Sequence, residues 1–496
     1  MTNELDRQAI ERSLDDLCNW ACALKISDIP KDALANAALI LGDNIAAIIS
    51  AADEPEVKAY HQRLMAADSS KQATLFREDG PQLSLLNAAL GNGLASTWNE
   101  LDDGYTKTAV HPGALSQPLI LAAAEAHGHS FEDVLVATVG AYEIGTRFAR
   151  TWPGTLPRIH PHGTFNAVCA AAGLGLLRKL KPETFLSALT AASTMVSPGP
   201  YSYPIQGALI RNAWPAAGAW LGHFACEMAE LGIGGTASGP YDVFQVGLGA
   251  PISKASELNI NLGSEWTVSD GYHKLYGACH HSHAAMEALE AMLIERPELR
   301  GGQDVKSATV HCSKMAMNFN NATPKTTLGA KFSIPHAIAA TLVHGADDPG
   351  NFLDQSLSDQ AIKDLSLRVN LVELPNIKPW PYDRPAKVSL ILKDGALLEN
   401  SCEAALGSSA RPLDAAQVLT KIHHLSQASA PGLQKAVIKL REEINLDRLG
   451  KLNFSSWVKV FTDDKKGQVR KDLALCPHCP LLTVGFRAVY VSRWLG

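Results

Sequence analysis

Segments rich in alanine and leucine dominate the chain from residue 5 to about residue 231. Within them apolar residues recur with the 3.6-residue period of an α-helix, as in DALANAALILGDNIAAIIS at 32–50 and FEDVLVATVGAYEIGTRFAR at 131–150. Small side chains let neighbouring helices approach closely, and their apolar faces must be buried by other helices. The first half of the chain is therefore predicted to be entirely helical.

The pattern changes after the glycine-rich segment GIGGTASGP at 232–240, which is typical of a helix end. Helical patterns continue beyond it, but apolar and polar residues also alternate with period two, which predicts strands at 306–317, 367–374, 386–392 and 397–406. The sequence KDG at 393–395 separates the last two strands and is typical of a tight hairpin turn. We therefore predict a smaller α+β domain over residues 266–405.

Two further helical patterns at 413–426 and 431–444 can pack back on the first half of the chain. A chain of 496 residues exceeds what a single hydrophobic core usually holds, so two domains are expected. The predicted fold class is mainly α. A large all-helical domain spans residues 1–265 and is completed by residues 406–496, and the α+β domain lies between these two segments.

Charge and motif content exclude several function classes. The net charge is −6 and no basic stripe is visible, so neither nucleic acid nor an anionic membrane is expected as a partner. The amino-terminal segment lacks the basic start and apolar run of a signal peptide, which predicts a cytoplasmic protein. CPHC at 476–479 has zinc-like spacing, but no second CxxC pairs with it, and no metal is predicted there.

The segment WNELDDGYTKTAVHPG at 98–113 crowds ionisable groups into a predicted loop. Glu100, Asp102 and Asp103 precede His111, and Pro112 favours the first turn of the next helix. Such residues can belong to an active site. The alternative is that the two aspartates cap a turn and that His111 is a surface residue.

Two more segments place polar groups at predicted helix entries. RIHPHGTFNAVCAAAGLG has His160 and His162 just before an alanine-rich helix, where loop residues held by a rigid scaffold often act as acids or bases. GALIRNAW at 207–214 places Arg211 before another helix, where its guanidinium could bind a carboxylate. The alternatives are an unremarkable histidine pair and an ordinary surface arginine.

The segment GYHKLYGACHHSHAAMEAL at 271–289 brings Lys274, Tyr276, Cys279 and His283 before or into a predicted helix. Its three histidines and one cysteine suggest a metal at first sight. Their close spacing cannot bring all four donors to one ion without a second segment. We therefore predict no metal in this segment.

Taken in order, these motifs resemble the MmgE/PrpD family over roughly residues 5–460: LDDG with HPG, HPHGT before an alanine-rich helix, an RN.W segment, K.Y..C...H before EAL, and AKFSIPH. The resemblance implies a large helical domain, a smaller α+β lid, a homodimer, and an active site in the cleft between the domains. It also implies that neither a metal nor an organic cofactor is needed.

The resemblance assigns catalytic roles to His111, His160 and Lys274. The remaining candidates are substrate-binding residues: Glu100, Asp103, His162, Arg211, Tyr276 and His283. This chain has Glu100, Gly104 and Arg211 where the family's cis-aconitate decarboxylases have Asp, Thr and Lys, and His336 where tyrosine is common.

The family's reactions move a proton on or off a carbon next to a carboxylate. The sequence is therefore predicted to encode a cofactor-independent lyase, most simply a hydro-lyase that eliminates water from a hydroxy-polycarboxylate resembling 2-methylcitrate. Decarboxylation of an aconitate-like acid and epimerisation of an amino- or imino-dicarboxylate use the same groups and stay open. A non-catalytic dimer that binds organic acids or proteins is the alternative from another class.

Overall fold

The computed structural model describes residues 4–153, 158–250 and 254–462. Helices dominate these residues, and the predicted mainly α class is confirmed. Nineteen α-helices are present in the described part of the chain: α1 Glu4–Ala23, α2 Lys31–Ala51, α3 Pro55–Ala67, α4 Leu85–Ser96, α5 Pro112–His127, α6 Phe131–Thr151, α7 Pro161–Thr164, α8 Asn166–Leu177, α9 Pro182–Thr194, α10 Ser202–Gln206, α11 Trp214–Glu230, α12 His280–Glu295, α13 Thr327–Lys331, α14 Ile334–His344, α15 Asp354–Ser358, α16 Gln360–Ser366, α17 Ala415–Ser426, α18 Leu433–Asn445 and α19 Phe454–Thr462.

Helix α8 lies at the centre of the helical part, and all twelve of its residues are buried. It packs against α5, α6, α9 and α11. The small residues that the sequence provides are needed here, because a Cβ at Gly222 of α11 would lie 2.6 Å from the Cβ of Ala170. Close contact between these helices therefore depends on glycine at that position.

Helix α2 is long and apolar enough to cross a membrane by length and composition alone, but 83% of its apolar window is buried inside the protein. Helices α17 and α18 cover it from the carboxyl-terminal side, and Ile422 and Val437 pack around Gly42. The same helix buries Asp43 and Asn44 completely or nearly so. Helix α2 thus carries polar groups into the middle of the molecule, and these groups lie close to the candidate site.

Six strands lie within the described ranges and form two sheets: β1 Ala73–Thr74, β2 Gln82–Leu83, β3 Val305–Cys312, β4 Val369–Glu373, β5 Ala386–Leu392 and β6 Leu397–Cys402. Strands β3 to β6 form one sheet in the order β4-β3-β5-β6, with β3 and β4 parallel and the other pairs antiparallel. The predicted hairpin joins β5 to β6, and Gly395 adopts φ 90° in its turn. Helices α12 and α14 pack together beside this sheet.

Three local predictions from sequence were wrong, and one of them is the strand predicted at 397–406, which ends at Cys402. The first half is not entirely helical, because β1 and β2 form a short antiparallel ribbon that is held by hydrogen bonds from Thr74 to Glu125. The strand predicted at 306–317 ends at Cys312, and a 3-10 turn follows at Ala316–Asn318. The CPHC motif at 476–479 lies outside the described residues, and the two-domain boundaries stay a prediction.

Candidate active site

The loop that follows α4 carries three buried acidic residues. Glu100 has φ 53°, in the left-handed region that costs a non-glycine residue roughly 1–2 kcal/mol. Asp103 is held by Asn44 of α2, whose side-chain nitrogen donates to Asp103 Oδ1 over 2.8 Å. The Asp103 backbone N–H donates in turn to the Asn44 side-chain oxygen. The loop is thus fastened to the core while its backbone is held in a strained conformation.

Four charged side chains from three segments meet at this loop. Arg211, in the 3-10 turn Leu209–Ala213, lies 2.5 Å from Glu100 Oε1. Lys274 donates to Glu100 Oε2 over 2.9 Å and to Asp102 Oδ1 over 3.1 Å. All four side chains are at least 98% buried. Two buried cations are therefore matched by two buried carboxylates.

The pKa values follow from this matching. Burial raises the pKa of the Glu100 carboxyl, but Arg211 and Lys274 outweigh burial and the net shift is downward. The pKa of Asp102 is likewise lowered, because Lys274 and His111 outweigh its burial. Burial alone would lower the pKa of Lys274, yet the two carboxylates raise it overall. All three groups are thus charged at neutral pH.

His111 is the residue immediately before α5, and its imidazole faces Asp102. Nδ1 lies 2.7 Å from both Asp102 Oδ2 and the backbone oxygen of Asp103. Because both oxygens are acceptors, Nδ1 carries the proton, and Nε2 of the neutral ring is left as the basic nitrogen. The sequence order of LDDG and HPG therefore builds an aspartate–histidine pair.

Two more histidines, His160 and His162, lie beside His111. The ring of His162 is 4.5 Å from the ring of His111 and 4.6 Å from that of His160. The His162 backbone N–H donates to His160 Nδ1 over 3.2 Å, which places the His160 ring proton on Nε2. Burial and the charge of Arg211 hold the pKa of both His160 and His162 well below the usual range. Both rings are neutral at pH 7.

Several polar atoms in this cluster are buried without a hydrogen-bond partner among the described residues. They include Arg211 Nε, both ring nitrogens of His162, Glu100 Oε1 and Asp103 Oδ2. Buried polar groups are nearly always hydrogen-bonded, so unpartnered atoms beside a basic histidine mark a place for a polar ligand.

Tyr276 and His283 follow Lys274 in the sequence, and their rings are 5.1 Å apart. His283 Nε2 donates to the backbone oxygen of Ala278 over 3.0 Å. Burial lowers the pKa of His283 to about 3, so its imidazole is neutral. The described contacts of His283 support the turn before α12. Substrate binding by Tyr276 and His283 stays a prediction.

The structure also brings in two buried lysines that the sequence interpretation left out. Lys421 of α17 donates to Leu101 O over 2.7 Å and pairs with Asp43 of α2. Lys331, at the end of α13, donates to Trp98 O over 2.9 Å. The two lysines therefore hold the backbone on both sides of Glu100. An ionisable residue inside the otherwise apolar α2 was the signal that could have identified Asp43.

The set of Asp102, His111 and His162 also has the spacing of a metal site, because their ligand atoms lie within 4.8 Å of one another. The bonding of Asp102 opposes this interpretation. Its two oxygens already accept hydrogen bonds from Lys274 and His111. Lys274 Nζ also lies 3.1 Å from Asp102 Oδ1, so a divalent cation on Asp102 would lie close to a buried ammonium group.

We therefore expect activity to survive exhaustive chelation. Protein treated with EDTA and then desalted should retain its turnover rate, and added zinc or iron should not increase the rate. Steady-state assays before and after treatment measure this. Loss of turnover that returns on adding either metal would contradict it and would assign the metal to Asp102, His111 and His162.

The comparisons with known proteins agree with the motifs. Residues 15–260 match the MmgE/PrpD N-terminal domain, and residues 276–446 match the MmgE/PrpD C-terminal domain. The chain is similar to a cis-aconitate decarboxylase-like protein, oryM, of Aspergillus oryzae, with 27% identity over 78% of this chain and 84% of the relative. It is also 24% identical to a cis-aconitate decarboxylase of Aspergillus terreus, over 85% of this chain and 90% of that protein.

Proposed function

Because the chain belongs to the MmgE/PrpD family, we propose that it is a cofactor-independent lyase that moves a proton at a carbon next to a carboxylate of a small polycarboxylic acid. The family and the names of its relatives support a lyase-type enzyme of organic acids. The observation that carries the proposal is the Asp102–His111 pair, whose 2.7 Å contact leaves Nε2 as a base.

The proposed elimination has two steps. His111 Nε2 takes the proton from the carbon next to a substrate carboxylate, and Asp102 stabilises the imidazolium that results. The electron pair left on that carbon forms the new double bond as the bond from the neighbouring carbon to its hydroxyl breaks. The departing hydroxide takes the proton from His111, so water leaves and the imidazole is neutral again.

The substrate class follows from the cations. Lys274 uses two of its three N–H groups on Glu100 and Asp102, and its third can meet a substrate carboxylate or the enolate-like charge. Arg211 Nε, which has no partner among the described residues, offers a second donor. His160 adds a neutral Nε2–H donor. We propose a small di- or tricarboxylate, with a 2-methylcitrate-like hydroxy acid as the leading candidate.

Decarboxylation of a cis-aconitate-like acid is the second candidate, and the names of the relatives favour it. There a carbon–carboxylate bond would break to release CO₂, and the vacated carbon would take a proton from a protonated histidine. Glu100, Gly104 and Arg211 depart from the residues of that enzyme type, which favours the elimination. Homodimer formation stays a prediction of the family resemblance, and a cytoplasmic location stays a prediction from the amino-terminal sequence.

Proton NMR in deuterated water distinguishes these reactions in one assay. With 2-methylcitrate, citrate and cis-aconitate supplied separately, we expect a vinyl signal to appear from a hydroxy acid. The corresponding neutral esters should be inert, because they lack the charge that the cations recognise. Release of CO₂ with deuterium at carbon would instead show the decarboxylase. No change in any acid would support the non-catalytic binding protein.

A further inference from the structure

Helix α2 places two consecutive polar residues, Asp43 and Asn44, in the interior next to the candidate active site. Asn44 holds Asp103 of the Glu100 loop by two hydrogen bonds. Asp43 is completely buried, and its carboxylate bonds to the side chains of two residues that lie far apart in the sequence, Lys421 and His273. Each of these two contacts leads to a different side of the Lys274 ion pairs.

The first contact of Asp43 is with Lys421 of α17. Lys421 Nζ lies 2.7 Å from Asp43 Oδ1 and donates to Asp43 Oδ2 over 2.9 Å. The same Nζ donates to the backbone oxygen of Leu101 over 2.7 Å. Leu101 stands between Glu100 and Asp102 in the chain. Lys421 therefore fixes the backbone from which both of these carboxylates project.

The second contact of Asp43 is with His273, whose Nδ1 lies 2.7 Å from Asp43 Oδ2. An ionised carboxylate can only accept, so Nδ1 carries the ring proton and donates it. The His273 backbone N–H donates to Gly407 O over 3.1 Å, and a Cβ at Gly407 would lie 2.1 Å from His273 O. His273 is thus held by its side chain and by its backbone. It immediately precedes Lys274.

Both contacts depend on the negative charge of Asp43. Burial raises the pKa of its carboxyl, but Lys421 and His273 outweigh burial and the net shift is downward. Without this charge, Lys421 would be a buried ammonium group that has lost its counter-ion, which is strongly unfavourable. The N–H of His273 would lose its acceptor at the same time. A single carboxylate therefore maintains both contacts.

We propose that Asp43 is a positioning residue for the reaction, because it fixes Lys274 relative to Glu100 and Asp102. The distances that it maintains are those from Lys274 Nζ to Glu100 Oε2, 2.9 Å, and to Asp102 Oδ1, 3.1 Å. This inference rests on the proposed function, in which Lys274 meets the substrate. A displacement of about 1 Å that originates away from the reacting atoms can lower a rate about a hundredfold.

The test uses Asp43→Asn and Lys421→Met in the full chain, assayed well below the thermal unfolding midpoint of each variant. Each substitution should lower kcat about tenfold to a hundredfold. KM should rise by a smaller factor, because Arg211 bonds to neither residue. The two residues act through one contact, so the double variant should have a kcat close to that of Asp43→Asn alone.

Arg147→Met is the matched control. Arg147 of α6 is also completely buried, pairs with Glu143 over 3.3 Å and donates to the backbone oxygen of Ile260 over 2.7 Å. Neither partner belongs to the Glu100 loop or to the segment of Lys274. Loss of this cation should lower the thermal unfolding midpoint but leave kcat unchanged. A merely structural role of Lys421 would give the same result in Lys421→Met.

Crystal structures of the wild type and of both variants add a measurement that does not need turnover. A lowered kcat together with Lys274 Nζ beyond hydrogen-bond distance of Glu100 or Asp102 is the expected result. The same displacement in a protein that converts no acid would support the positioning of Lys274, and the lyase proposal alone would fail. If the variants keep the wild-type kcat, or if both Lys274 contacts keep their lengths while kcat falls, the positioning role is wrong and the lyase stands. Unchanged contacts in a protein without any turnover would overturn both.

Discussion

Replacing His111 with glutamine should lower kcat by roughly 10²- to 10⁴-fold, the range for loss of a general acid or base. The glutamine amide can still donate to Asp102, but it has no basic nitrogen to take a proton. KM should change little, because the proposed carboxylate contacts come from Lys274 and Arg211. Steady-state kinetics with the best substrate from the NMR screen measure both constants.

The matched control is His344→Gln, which changes a histidine that is 38% exposed at the end of α14. It should have wild-type kinetics. A far-ultraviolet circular dichroism spectrum and a thermal unfolding curve establish that His111→Gln is folded. A folded His111→Gln protein with an unchanged kcat would remove His111 from the reaction and shift the assignment of the base to His160 or His162.

Acidification between pH 7 and pH 5.5 should lower the free energy of unfolding, by on the order of 1 kcal/mol for each histidine that is buried in its neutral form. The cause is the set of histidines whose pKa is lowered in the folded protein, which includes His61, His160, His162, His280, His281, His283 and His336. Burial is the first cause at each of them. In the unfolded chain these histidines titrate near pH 6.5. As the pH falls, the unfolded state therefore binds protons that the folded state does not bind.

The direction in which the free energy of unfolding changes with pH follows from this difference in proton binding. Below the unfolded value of about 6.5, stability falls as the pH falls, by up to roughly 1.4 kcal/mol per pH unit for each histidine. Buried Asp103 and Glu143, whose carboxyl pKa is raised, act in the opposite direction. Urea unfolding at pH 8, 7, 6 and 5.5 measures the effect. An unfolding free energy that stays constant from pH 7 to pH 5.5 would contradict it.

Local patterns were enough to predict most of the helices. Helices α2 and α6 begin and end within one residue of the predicted segments 32–50 and 131–150, because helical periodicity is a local signal. The β1–β2 ribbon was missed because two-residue strands carry no alternation. The end of β3 was missed because alternation continues past Cys312 although pairing with β5 does not.

The residue types of the candidate site were visible in the sequence, but their partners were not. Arg211 was predicted to bind substrate and Lys274 to be catalytic, but their ion pairs were not predicted. The structure pairs Arg211 with Glu100, and Lys274 with both Glu100 and Asp102. Pairing depends on which side chains meet across more than a hundred residues of chain. The role of Lys331 depends on the same kind of long-range contact, which no local pattern reports.

The lysines that hold the Glu100 loop have a consequence for biosynthesis. Lys331 and Lys421 reach back 233 and 320 residues along the chain to the backbone of Trp98 and Leu101. A ribosome adds roughly 5–20 residues per second, so α4 and its loop emerge well before either lysine does. The loop of Glu100 therefore lacks its contact with Lys421 until α17 leaves the exit tunnel of the ribosome. The candidate site is therefore complete only after α17 has emerged.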